Sequence, residues 1–167
     1  MPKPTKNASL ICIVLSIVSV IGILLSLIFT SPLWAIILLL PTVGYEVYRT
    51  EGQSTKTSSI IILIVLILEL ILIIFKVDID IAGLLGEESR YIAGYEVPLG
   101  FLTVIGPTVI AVLSVIMFVR TRGIYTRWLS VIIIVTSFVV IYELEPESIG
   151  ELLKFGIQEV LDRISYI

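Results

Sequence analysis

The sequence predicts an all-α integral membrane protein with five transmembrane helices, a short outer loop and a C-terminal amphipathic helix. Of its 167 residues, 57% are hydrophobic and 15% are charged, and the mean hydropathy is +1.12. A soluble domain has about 45–50% apolar and about 25% charged residues. The apolar residues are also collected into long runs without charge. These observations exclude a soluble globular domain and a disordered chain.

The first charge-free run is long enough for two spans. Residues 8–45 hold no charged side chain. As one helix the run would be about 57 Å long at 1.5 Å per residue, whereas a bilayer core of about 30 Å needs only about 20 residues. The break is expected at Ser31-Pro32, because serine can cap a helix and proline fits its first position. The two spans are predicted at 8–29 and 32–48.

Three further apolar segments complete the membrane bundle, which is predicted to occupy residues 1–144. The fifth is short and reaches across if Arg127 extends its charged end to the interface. Pro41 and Pro107 are each expected to kink the span that contains them. The third, fourth and fifth spans are predicted at 58–75, 98–119 and 126–144.

The loop charges predict the orientation of the chain. With a cytoplasmic N-terminus, the inner segments hold seven Lys and Arg residues, and the outer segments hold four, together with eleven acidic residues. This distribution follows the positive-inside rule. We therefore expect a multi-pass protein of the cytoplasmic membrane with its N-terminus inside and its C-terminus outside.

The composition excludes several kinds of chemistry. The chain has one cysteine, Cys12, and no histidine, so an internal disulfide and a Cys/His metal site are both excluded. There is no Gly-rich phosphate loop and no nucleophile motif. The net charge of −3 argues against a nucleic-acid partner. We expect no enzymatic activity, no cofactor and no bound metal.

Small residues recur along one face of the first span. In lipid, such a face lets helix backbones approach closely and lets hydroxyl groups bond across the interface. Tight packing is the first interpretation, and a hydroxyl-lined path for water or ions is the alternative. The fourth span has a shorter face of this kind, so the first and fourth spans are expected to pack together. The predicted packing face comprises Ser9, Cys12, Ser16, Ser19, Gly22 and Ser26.

Glu69 is the candidate functional residue. It is the one polar residue in the apolar stretch 60–75. A carboxylate at this depth costs at least about 2.5 kcal/mol, so it should face the bundle and favour its neutral form. One interpretation is a proton or cation site. The other is a structural neutral acid that bonds a hydroxyl or carbonyl group on a neighbouring span.

Two other groups of acidic residues, and the outer loop, have simpler interpretations. Glu46 at the inner end of the second span is expected to pair with Arg49, three residues further on. Glu143, Glu145 and Glu147 are expected to form a solvated acidic turn, with loose binding of a divalent cation as the alternative. In the outer loop, residues 77–81 alternate like a strand and residues 82–94 suggest a short helix on the membrane.

The C-terminal segment 148–167 predicts an amphipathic helix. Ser148 and Glu151 form a capping box, and apolar residues follow at alternating spacings of four and three. Its polar faces are mostly acidic, unlike those of helices that lie on bilayers, so a protein partner is expected. The partner is the outer loop of this chain, a second copy or another subunit. The predicted docking residues are Leu153, Ile157, Val160, Ile164 and Ile167.

These features predict a small polytopic membrane protein without a catalytic motif. The first hypothesis is a structural or accessory subunit of a membrane complex, or an oligomer built by helix packing. The alternative is a small ion or proton channel or transporter that uses Glu69. A sensor with an outer ligand-binding region is a third. The expected partners are the lipid bilayer and either another protein or a second copy of the chain.

Overall fold

The computed structural model describes residues 7–75, 90–92, 95–97 and 102–146. Within these ranges it contains five helices and one short hairpin. The elements, in chain order, are α1 (Ala8–Phe29), α2 (Pro32–Arg49), α3 (Gln53–Phe75), β1 (Arg90–Ile92), β2 (Tyr95–Val97), α4 (Leu102–Arg120) and α5 (Ile124–Leu144).

Three of the helices, α1, α3 and α5, are long and apolar enough to cross a membrane. Large apolar side chains cover the outside of the bundle; Leu10, Ile28 and Val119, for example, are each at least 65% exposed. A soluble monomer rarely exposes a continuous apolar surface of this kind. The helical membrane class predicted from the composition is confirmed at this level.

The five helices form one bundle in which α2 and α5 are central. Each of these two helices contacts three others: α2 packs against α1, α3 and α5, and α5 packs against α1, α2 and α4. Helix α3 also packs against α4. The expected pairing of the first and fourth spans is therefore wrong, because the small-residue face of α1 packs against α2 and α5 instead.

The core of the bundle lies among α2, α3, α4 and α5. Its largest fully buried apolar side chains come from all four helices and include Ile36, Leu66, Ile110 and Ile133. A smaller apolar cluster joins α1 to the rest at one end, around the buried side chains of Cys12, Leu15 and Leu129. The bundle also buries polar side chains, which are described below.

Two elements differ from the sequence prediction. Helix α3 begins at Gln53 instead of residue 58, and the hydroxyl groups of its first turns bond back to backbone carbonyls. These bonds let a polar turn remain helical. In the outer loop, Arg90–Ile92 pairs with Tyr95–Val97 as an antiparallel hairpin, so the short helix expected at 82–94 is wrong at Arg90–Ile92.

The other predictions for the outer segments fall on residues outside the described ranges. These are the strand at 77–81 and the amphipathic helix at 148–167, together with its docking residues.

Candidate functional site: buried carboxyl groups

Glu69 lies on the buried face of α3, in line with Ser59, Ile62 and Leu66. Its side chain is 2% exposed, and its Oε1 atom has no hydrogen-bond partner. The carboxyl group rests against Gly106 of α4, where a β-carbon would overlap Oε2. A buried polar atom without a hydrogen-bond partner is uncommon in proteins and needs a chemical explanation.

A cavity of about 10 Å³ lies beside the Glu69 carboxyl group, between α2, α3, α4 and α5. It is lined mostly by apolar side chains, together with Pro107 and Ser137. The Ser137 hydroxyl is buried and, like Glu69 Oε1, has no hydrogen-bond partner. A cavity needs about 10–15 Å³ to hold one water molecule. Two residues that each carry an unsatisfied buried oxygen therefore line a space with room for about one water molecule.

Pro107, which lines this cavity, leaves one backbone carbonyl of α4 without its helical donor. Proline has no N–H, so within α4 the carbonyl oxygen four residues earlier lacks its usual helical donor. That residue, Thr103, precedes Gly106 by one turn. A carboxyl group and a hydroxyl can donate or accept a hydrogen bond, and a released carbonyl can accept one.

Glu46 is a second buried carboxyl group, near the other end of the bundle. Its side chain is fully buried, and Oε1 lies 2.8 Å from the Ser130 hydroxyl on α5. Oε2 has no hydrogen-bond partner. The guanidinium of Arg49 instead lies 4.8 Å from the centre of the Tyr125 ring. The expected pairing of Glu46 with Arg49 is therefore wrong: Glu46 turns inward, while Arg49 stacks on an aromatic ring.

The Ser130 hydroxyl connects the Glu46 carboxyl group to the backbone of α5. The Ser130 Oγ atom lies 2.8 Å from Glu46 and 3.0 Å from the carbonyl oxygen of Thr126. A hydroxyl group has only one hydrogen to donate. The hydroxyl hydrogen of Ser130 is therefore shared between Glu46 Oε1 and the carbonyl oxygen of Thr126.

Glu143 near the C-terminal end of α5 repeats this arrangement. The Ser26 hydroxyl of α1 contacts both Glu143 Oε2 and the carbonyl oxygen of Ser31. Glu143 is half-buried, and its Oε1 has no hydrogen-bond partner. The expected solvated acidic turn is therefore wrong at Glu143, because a hydroxyl group of the first helix binds this side chain.

The predicted packing face of α1 contacts two helices, α2 and α5. Ser19 bonds Thr42 of α2 at 2.9 Å, and Ser16 accepts a hydrogen bond of 2.8 Å from the indole N–H of Trp128 on α5. The buried members of this face are Cys12, Ser19, Gly22 and Ser26. Ser16 is half-buried, and Ser9 is exposed.

Sequence reasoning missed the inward position of Glu46, although a signal was present. Ala35, Leu39, Thr42 and Glu46 follow one another at spacings of four, three and four, and all four are buried. The same heptad-like spacing places Ser59 and Glu69 on one face of α3. A count of these spacings would have assigned Glu46 to the buried face.

The chain has no match among known protein families, curated proteins or solved structures. Within the part of the chain that the structure describes, no group of three or more acidic, cysteine or histidine side chains could hold a metal ion.

Proposed function

We propose that the chain is a five-span membrane protein that transfers protons through its helical bundle, with Glu69 as the site that gains and loses the proton. The positive-inside distribution of Lys and Arg supports a cytoplasmic N-terminus for this arrangement. The observation that carries the proposal is the pair of unsatisfied polar groups, Glu69 Oε1 and Ser137 Oγ, at one internal cavity.

The two buried carboxyl groups lie at different depths. Glu46 is three residues from the end of α2, and Glu69 is sixteen residues from the start of α3 at the same end of the bundle. At 1.5 Å per residue, their α-carbons are about 20 Å apart along the axis. Ser130 and Ser137 stand beside them on α5, seven residues and about 10 Å apart. Helix α5 therefore supplies one serine that contacts Glu46 and one that lines the same cavity as Glu69.

Hydroxyl groups can relay protons between these acids, because a hydroxyl both donates and accepts. Ser114 of α4 is fully buried and has no hydrogen-bond partner, and it adds a third hydroxyl to the interior. The cavity beside Glu69 is too small for an organic solute or a hydrated cation. A proton is the species that this interior suits best, and transient water molecules would complete the relay.

The test is proton flux into liposomes that contain the purified protein, measured with an internal pH-sensitive dye under an imposed potential. The native protein is expected to raise proton entry above that of empty liposomes. The Glu69→Gln variant keeps the side-chain size but cannot release a proton. We expect it to lose this flux, by tenfold or more on the scale of general acid–base effects, which are about 10²–10⁴-fold.

Glu51→Gln is the matched control, because Glu51 is exposed in the loop between α2 and α3 and its substitution also removes one carboxylate. It should retain native flux. A sodium or potassium indicator in the same liposomes separates proton from cation transport. Flux equal to that of empty liposomes, or an unaffected Glu69→Gln variant, would contradict the proposal and leave Glu69 as a structural acid.

A second candidate function is that of an accessory subunit in a membrane complex. The sequence of segment 148–167 favours it, since an acidic amphipathic helix, which this sequence predicts, suits a protein surface better than a bilayer. A subunit of this kind would associate through that segment and the outer loop. Glu69 would then be a neutral structural acid that packs against Gly106.

The subunit hypothesis predicts that the tagged protein, extracted from its own membranes in a mild detergent, carries other chains in fixed ratio. Native mass spectrometry measures this directly. Removal of residues 148–167 is expected to release those chains while the bundle stays intact. Recovery of the full chain alone, or as copies of itself, would contradict a role in a hetero-complex.

A further inference from the structure

A cavity of about 680 Å³ opens at the end of the bundle where α2 and α4 end and where α3 and α5 begin. Three arginines, Arg49, Arg120 and Arg122, line it together with one acidic residue, Glu51. The wall therefore carries more positive than negative groups. Hydroxyl side chains lie among the arginines, and those that line the cavity are Ser54, Thr55, Thr121 and Thr126.

Two of the arginines are held in place by neutral partners. Arg120 donates a hydrogen bond of 3.1 Å to the Ser54 hydroxyl, which ties the end of α4 to the start of α3. Arg49 lies over the Tyr125 ring, which ties the end of α2 to the start of α5. Neither a hydroxyl nor an aromatic ring cancels the guanidinium charge. Both contacts hold the arginines in place, and a guanidinium group has five N–H donors in a fixed fork.

The first turns of α3 and α5 also line this cavity. The first helical hydrogen bonds are donated by the N–H groups of Lys56 and Arg127, to the carbonyls of Gly52 and Gly123. The N–H groups of the three residues before each donor have no partner within their own helix. Gly123 has no side chain that could cap α5. Such helix starts favour negative charge.

We propose that this cavity binds a phosphate group. Arginine forks match the oxygen geometry of phosphate, and serine and threonine hydroxyls and helix N–H groups are its other usual partners in proteins. The cavity lies at the end of the spans, which is the depth of lipid headgroups. The phosphate can therefore come from an anionic lipid or from free phosphate, and the same groups would bind either. This site is separate from Glu69 and does not rest on the proton-transfer proposal.

The first experimental arm measures lipid binding. The full chain in detergent is titrated with phosphatidylglycerol or with phosphatidylcholine, and bound lipid is counted by native mass spectrometry. We expect preferential binding of phosphatidylglycerol. The double variant R120Q/R122Q should bind it at least about tenfold more weakly, since hydrogen bonds to charged groups are among the strongest that proteins make.

The second arm uses lipid-depleted protein and inorganic phosphate, with thermal unfolding as the readout and chloride at equal ionic strength as the reference. A rise in Tm with phosphate that the double variant loses would support free phosphate as the source. Lys56→Gln is the matched control in both arms. It removes a cation at the same end of α3, and Lys56 is exposed and outside the cavity wall.

Folding of each variant is checked by helical content and by its elution volume in detergent. If the control weakens binding as much as R120Q/R122Q does, binding reflects overall charge and the proposed site is wrong. Equal binding of both lipids, with no effect of inorganic phosphate on Tm, would also overturn the proposal.

Discussion

Gly22→Val is expected to lower the free energy of unfolding by about 3 kcal/mol, at the upper end of typical overpacking costs. A β-carbon at Gly22 of α1 would lie 2.8 Å from the β-carbon of Leu38 and 3.3 Å from the carbonyl oxygen of Trp34, both on α2. Neither atom can rotate away, because one is fixed to the backbone and the other belongs to it. The two helices must therefore separate. Reversible unfolding in mixed micelles measures the loss.

Gly44→Val is the matched control for this experiment. Gly44 lies inside α2, and a β-carbon there would meet no atom within 4 Å. Glycine and valine both have low helix propensity, so a change at Gly44 tests the substitution without the collision. Its free energy of unfolding should stay within about 0.5 kcal/mol of the native value, as at an ordinary surface position. Equal losses at both positions would show that α1 and α2 are not in close contact at Gly22.

Gly106→Ala is expected to cost about 2 kcal/mol, within the range for overpacking. A β-carbon at this position would overlap Oε2 of Glu69. The carboxyl group can swing aside, but the space beside it is about 10 Å³ and its surroundings are mostly apolar. The carboxyl group must then displace its neighbours or lose its place in the bundle. The same unfolding titration measures the change.

A double-mutant cycle makes this prediction specific to the two residues. Removing the carboxyl group with Glu69→Ala creates room for a methyl group at position 106. In that background, Gly106→Ala should cost less than about 0.5 kcal/mol, which leaves a coupling energy of about 1.5 kcal/mol or more. Additive costs would mean that the Glu69 carboxyl group does not rest against Gly106. The cycle therefore tests the geometry of the site independently of any transport assay.

The general class of this protein follows from its sequence because lipid imposes simple requirements. Long apolar runs must become helices, since every backbone polar group in the bilayer core needs an internal partner. The inward position of Glu69 follows from the same reasoning, because an isolated carboxylate facing lipid is costly. Both inferences need only residues that are near one another in the chain.

The partners of the buried carboxyl groups could not be inferred in this way. Glu46 and Ser130 are 84 residues apart, and Ser26 and Glu143 are 117 residues apart. Nearby residues made Arg49 the obvious partner of Glu46. The sequence also showed a small-residue face on both α1 and α4, which suggested that these helices pair. Which faces meet depends on how all five helices fit together, and no local pattern contains that information.

The contact between α1 and α5 has a consequence for biosynthesis. Helix α5 supplies Ser130 to Glu46 and Glu143 to Ser26, and it also packs against α1 and α2. While a ribosome is still making the chain, Glu46 and Ser26 are synthesised before the α5 groups that contact them. A nascent chain that stops before α5 leaves the Glu46 carboxyl group without its Ser130 contact, whereas Ser26 keeps the carbonyl oxygen of Ser31. Helix α5 thus completes the bundle of described helices, because it supplies polar partners to helices that are made before it.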